Sequence, residues 1–159
     1  MTRRVKLDKI DRKILRDLQA NGRITNVELS KNAGISAPPC LRRVRALEEA
    51  GLIKGYFARL EPTTLGYGLT VFALIKLVSQ AEVDLKAFEK KCHQLDMGGQ
   101  CHMVTGEGDY LLRIVAKDWD AYQQFLTNEL TALSNVTSVK TMPMVRTPKE
   151  EPGIPVHVD

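Results

Sequence analysis

Two short stretches hold the residues with chemistry to offer. In "VTGEGDYLL", Gly106 and Gly108 leave main-chain N–H groups approachable, and Asp109 adds a carboxylate. Together they suit the two ends of a zwitterion, with amide donors for a carboxylate and Asp109 for an ammonium. Met103, Met142 and Met144 are expected on strands nearby, where flexible thioethers suit an apolar ligand side chain. The candidate ligand set is therefore Met103, Thr105, Gly106, Glu107, Gly108, Asp109, Tyr110, Met142 and Met144. The same residues also make a hairpin turn with methionines filling gaps, and spacing alone favours that plainer reading.

The second stretch is "SAPPCLRRVRALEEAGLI", residues 36–53. Its helical spacing puts Cys40, Leu41, Val44 and Leu47 on one face, with Arg42 almost opposite and Arg43 and Arg45 on the flanks. Pro38 and Pro39 are tolerated at a helix start, where the first N–H groups have no internal partner. The prolines thus fix the beginning of a cationic helix that can bond bases and phosphates in a major groove. A solvated surface helix, with Glu48 and Glu49 neutralising Arg45, is the alternative. The expected DNA contacts are Ser36, Arg42, Arg43 and Arg45, with Arg23 and Lys54 on phosphates.

What precedes this helix favours DNA. "LDKIDRKILRDLQANG" aligns Leu7, Ile10, Ile14 and Leu18, opens on Asp8 and Asp11 and closes at Asn21-Gly22. "ITNVELSKNAG" has capping-box spacing at Thr25 and Glu28 and ends at Gly34. Three helices with a tight glycine turn before the third make a helix-turn-helix. Charge agrees: residues 1–61 hold 14 Lys/Arg against 7 Asp/Glu, whereas residues 62–159 hold 9 against 12.

"LIKGYFARLEP" reads as a strand, either a wing or an exit from this domain, and "TTLGYGL" as a hinge. Beyond it the elements alternate. "LTVFALIKLV" is a buried strand, and "AEVDLKAFEKKCHQL" a helix with Val83, Phe88 and Leu95 on or near one face. "QCHMVTG" and "YLLRIVAK" form a hairpin around "GEGD", "DWDAYQQFLTNELTAL" is a second helix, and "VTSVKTMPMVR" is a strand whose Pro143 implies an edge or a bulge. The expected fold is α+β: a winged helix-turn-helix over 1–60, a hinge over 61–68, a ferredoxin-like βαββαβ domain over 69–148 and a loosely packed tail over 149–159.

Other chemistry is poorly supported. Cys92-His93 and Cys101-His102 are adjacent pairs whose members point apart, and no CxxC occurs, so no metal is expected. No GxSxG, Walker loop or HExxH is present, so no enzyme is expected. The three cysteines fit free thiols in a reducing cytoplasm, and neither a secretion signal nor a membrane span is apparent.

The stretches "LDKIDRKILRDLQANGRITNVELSKNAGIS", "PPCLRRVRALEEAGLIKGY" and "CHMVTGEGDYLL", with the element order, resemble the Lrp/AsnC or feast/famine family from residue 7 to about 147. The resemblance implies a winged helix-turn-helix that binds double-stranded DNA and a βαββαβ effector domain. It implies homodimers through the effector domains, often assembled into octamers, and transcriptional control by free amino acids bound between those domains. It strengthens the ligand reading of Gly106, Gly108 and Asp109, with a small leucine- or methionine-like amino acid as effector and no other cofactor. The competing readings are an RNA-binding protein, which requires aromatics on the central strands, a nucleoid-associated protein without a ligand, and an enzyme with a ferredoxin-like regulatory domain.

Overall fold

The computed structural model describes residues 6–151 and 153–158. Residues 1–5 of the expected DNA-binding domain, and residues 152 and 159 of the expected tail, lie outside the described residues. The chain divides into two units. One holds residues up to Arg59 together with those from Lys149 onward, and the other is Leu60–Pro148.

The first unit is built on three helices, α1 (Lys9–Ala20), α2 (Asn26–Ala33) and α3 (Ala37–Glu49). Asp8 caps α1 by accepting from the Asp11 N–H, and the Asp11 carboxylate accepts from the Asp8 N–H in return. Thr25 and Glu28 make the same reciprocal pair on α2. Gly34 ends α2 at φ 75°, a left-handed conformation that favours glycine. Only Gly34, Ile35 and Ser36 separate α2 from α3. Ile14, Leu29, Ala33, Cys40 and Leu47 form the core where the three helices meet.

Two expectations for this unit are corrected. The segment "LIKGYFARLEP" enters no strand ladder among the described residues, and Phe57 is 89% exposed there. Its apolar side chains find no neighbouring strand to pair with. The tail is not loose. The Gln19 side chain donates to the Ile154 carbonyl at 2.7 Å and accepts from the Ile154 N–H at 3.1 Å, as a neighbouring strand would. Gly153, Pro155 and Val156 then line an apolar groove of about 500 Å³ with Leu15, Leu18, Ile53 and Tyr56. Arg59 pairs with Glu150.

The second unit follows the expected βαββαβ order: β1 (Leu69–Leu77), α4 (Glu82–Cys92), β2 (Gly98–Met103), β3 (Tyr110–Ala116), α5 (Trp119–Phe125) with a π-helical turn (Leu126–Leu130), and β4 (Val136–Pro143). The antiparallel sheet has the order β2-β3-β1-β4, so β4 is an edge strand, where Pro143 is tolerated. Residues 61–68 hold a turn in which the Leu65 and Tyr67 N–H groups donate to the Pro62 carbonyl. Gly68 N–H donates to Lys117, which ties the end of the expected hinge to the sheet unit.

Alternation along the central strands decides the packing. Val71, Ala73, Ile75 and Leu77 of β1, with Tyr110, Leu112, Ile114 and Ala116 of β3, face Leu85, Phe88, Tyr122, Phe125 and Leu130. Leu85 replaces Val83 in that core, because Val83 is 75% exposed on the far side of α4. Phe72, Leu74, Leu111, Val115 and Met142 are half-buried on the opposite face. Among the described residues, no helix is long and apolar enough to cross a membrane.

Gln19→Ala removes both hydrogen bonds to Ile154. Urea denaturation is expected to show a loss of about 1 kcal/mol, and limited proteolysis a newly cleavable tail.

Candidate functional site

The cationic surface starts from the orientation of α3. Cys40 and Leu47 are buried and Val44 packs beside them, so the buried stripe runs along positions 40, 44 and 47. Leu41 sits off that stripe and is 39% exposed, contrary to the sequence expectation. Arg42 and Arg45 are exposed on the outer side, as are Ser36, Arg23 and Lys54. Ser36 holds the N-cap position, but its side chain makes no cap hydrogen bond.

Arg43 is the correction within this set. Three residues from Cys40, it shares the inner flank of α3 and reaches the first turn of α1. Its Nη1 lies 2.7 Å from Asp8 Oδ2 and 2.7 Å from Asp11 Oδ1. The Asp11 N–H, and then Arg43, hold the Asp8 carboxyl below its ordinary value. Hydrogen bonds to Asp11 and then Asp8 raise Arg43 in turn. Arg43 therefore joins α3 to α1 through ion pairs with the first turn of α1.

Two more residues orient this surface, and sequence spacing did not single them out. Asn26 Nδ2 donates to the Ala37 carbonyl at 2.9 Å, fixing the start of α3 against α2. Among the described residues its Oδ1 is buried without a partner. Tyr56 donates to Glu48 Oε1 at 2.9 Å, tying the chain after α3 back to that helix. Burial, and then this hydrogen bond, push the Tyr56 hydroxyl up to about 12.

The glycine turn between β2 and β3 spans residues 104–109. It closes through Val104 N–H to the Asp109 carbonyl at 2.9 Å, and Asp109 N–H donates to Ile75 at 2.8 Å. Gly106, at φ 120°, and Glu107 are exposed, and no backbone acceptor among the described residues engages their N–H groups. A Cβ on Gly108 would lie 2.6 Å from Leu74 Cγ and 3.1 Å from the Ile75 carbonyl, so glycine here lets the turn press onto β1. Glu107 pairs with Lys140 of β4 at 3.4 Å. Thr105 is exposed beside them.

Five members of the candidate ligand set are placed otherwise than expected. The Asp109 carboxylate is buried and already accepts from Leu77 N–H at 2.8 Å and from Gln80 Nε2 at 2.7 Å. It holds the turn against the end of β1 and does not face outward for an ammonium. Tyr110 is buried beneath the helices, 4.7 Å between ring centroids from Phe88, and donates to Glu89. That burial also removes the aromatic on which an RNA-stacking surface depended. Met103 and Met142 lie on opposite edges and opposite faces of the sheet, since Met103 pairs with Tyr110 and Met142 with Phe72. Met144 follows β4, with its N–H on the Thr70 carbonyl. The three methionines therefore do not line one pocket within this chain. What the turn presents outward is Thr105, Gly106 and Glu107.

Known proteins match both units. Residues 70–154 match the family model described as the Lrp/AsnC ligand binding domain, and residues 7–54 that of the winged helix-turn-helix DNA-binding domain. A leucine-responsive regulatory protein of Rhizobium meliloti is 51% identical over 150 residues, covering 94% of this chain and 96% of that one. The Bkd operon transcriptional regulator of Pseudomonas aeruginosa is 44% identical over 135 residues, 85% and 88% of the two chains. Among solved structures, a Neisseria meningitidis transcriptional regulator in complex with L-methionine superposes with a TM-score of 0.90 at 35% identity, covering 94% and 97%.

Arg42 and Arg43 are expected to separate under mutation. Arg42→Ala weakens specific DNA binding by about 1–3 kcal/mol in a gel shift and leaves the melting temperature unchanged. Arg43→Ala lowers the melting temperature. The stability that Asp8 supplies is complete above its unfolded value of 3.8 and lost as pH falls through the lower folded value. Arg43→Ala therefore loses less on acidification, which a circular-dichroism titration reads. At the turn, Asp109→Ala leaves the buried Leu77 N–H without its acceptor, at a cost of about 1–3 kcal/mol by urea denaturation.

Proposed function

The chain belongs to the Lrp/AsnC family of transcriptional regulators, and from that premise we propose how its DNA reading and its amino-acid response divide among residues. The outward face of α3, with Arg42 and Arg45 at its centre and Ser36 at its start, reads base edges in a major groove. Arg23 and Lys54 neutralise phosphates beside it. The observation that carries this reading is the selective exposure of these cations, while Arg43 is held internally. The chain is a regulator and not an enzyme.

The effector is a leucine- or methionine-like free amino acid. Its carboxylate binds the N–H groups of Gly106 and Glu107, two exposed residues on a turn braced by Asp109 and Gly108. The ammonium acceptor and the apolar pocket come from a second copy of the chain, because Asp109 is occupied and the methionines are dispersed. The L-methionine bound to the Neisseria relative supports this ligand class.

A homodimer is the minimum assembly, with an octamer as its further step. The half-buried apolar face of Phe72, Leu74, Leu111 and Val115 gains cover from the same face of a second copy. A dimer also brings two α3 helices to half-sites spaced by whole turns of about 10.5 bp. The regulator works in the cytoplasm, where the DNA is.

The tests are an amino-acid screen and a gel shift on the intact protein. Leucine or methionine is expected to change operator affinity about 5- to 150-fold, and Arg42→Ala with Arg45→Ala to abolish specific binding. Unchanged affinity with every amino acid would instead fit a nucleoid-associated protein. Leu111→Glu is expected to give a monomer by light scattering where the parent is a dimer, and a parent that is itself monomeric at micromolar concentration rejects the assembly.

A further inference from the structure

Cys92 and Cys101 come together in the effector domain, with their Sγ atoms 3.7 Å apart. Cys92 is the last residue of α4, and Cys101 lies on edge strand β2, on the face beneath the helices. Cys101 is exposed and Cys92 half-buried. With Glu89, Gln100, Met103 and Tyr110 they line a surface cavity of about 470 Å³, so a small solute reaches both sulfurs. The third thiol, Cys40, is buried in the other unit.

We infer that Cys92 and Cys101 form a reversible disulfide when a small hydroperoxide enters this cavity, which makes the pair a redox modification site. The bond requires the sulfurs to close by about 1.7 Å, a matter of side-chain rotation. Both supports can yield. Cys92 ends its helix and is followed by turns, and β2 is a free edge with a register shift between Gly98 and Gln100.

The chemistry is balanced by the peroxide alone. The Cys101 thiolate attacks one peroxide oxygen, the O–O bond breaks, and an alcohol or water leaves with a proton. Cys101 is then a sulfenic acid. The Cys92 sulfur attacks it, and the departing hydroxide takes the Cys92 proton as a second product, water. Two thiols are oxidised by two electrons and the peroxide is reduced by two. The ionisation order agrees. The hydrogen bond between the two thiols lowers Cys101, against burial and the Glu89 charge. The same hydrogen bond, then burial, raise Cys92. The bond would tie α4 to the strand that leads directly into the 104–109 turn.

The test treats the reduced, full-length protein with a small molar excess of hydrogen peroxide. Free thiols are expected to fall from three to one, the intact mass to drop by two hydrogens, and peptide mapping to join residues 92 and 101 within one chain. Dithiothreitol restores all three thiols. Cys92→Ser stops at a dimedone-trappable sulfenic acid on Cys101, and Cys101→Ser slows peroxide consumption about tenfold or more. Three surviving thiols, a bridge between chains, or direct passage of parental Cys101 to sulfinic acid overturns the inference. Cys101 is exposed, so its serine variant folds and keeps the comparison informative. None of these readouts depends on an amino-acid effector.

Discussion

Two central strands that are apolar on both faces set the demands that the rest of the molecule meets. β1 sends Val71, Ala73, Ile75 and Leu77 one way and Phe72 and Leu74 the other. Because a strand's side chains alternate, one layer of helices satisfies only half of this pattern. α4 and α5 cover the first face. The second face keeps its half-buried side chains, and the proposed dimer rests on that face. The glycine turn is bound to this arrangement, since Gly108 rests on Leu74 and Asp109 donates its N–H to Ile75.

Charged residues divide between internal and external roles according to what lies within reach. Arg43 and Asp109 sit in the most ligand-like stretches, yet both make ion pairs or hydrogen bonds inside their own unit. Arg43 meets two carboxylates at the start of α1, and Asp109 meets a strand-end N–H and the Gln80 amide. Asp109 is buried, where leaving such partners unmet is costly, and Arg43 bridges two helices nearer the surface. What remains outward is simpler: Arg42 and Arg45 on one helix face, and Thr105, Gly106 and Glu107 at one turn. The proposed DNA and amino-acid contacts rest on that remainder, and its geometry depends on the residues withdrawn from it.

The Lrp/AsnC assignment joins these parts. The helix-turn-helix supplies a cationic helix with a fixed start, and the sheet unit supplies a turn at its rim and an open face. In the function we propose, an amino acid bound at that rim, between copies, acts on DNA binding through assembly. The thiol pair stands on the other side of β2, within the domain that takes the ligand.

The helix-turn-helix, the βαββαβ order, the Thr25–Glu28 capping box, the glycine that ends α2 and a cationic third helix are all legible along the chain. These are local facts: a cap needs partners three residues apart, and a period of 3.6 or 2 is written into the residue order. Which flank of α3 turns inward is settled only by packing: Leu41, placed on the apolar face by spacing, is exposed, and flanking Arg43 turns to the carboxylates of α1. Packing also sets Met103 and Met142 on opposite edges, since strand order comes from distant pairings that spacing does not encode. The tail's seat on Gln19, Asp109's hold on β1 and the meeting of Cys92 with Cys101 belong to the same class. Each joins residues whose nearness exists only once the chain has folded.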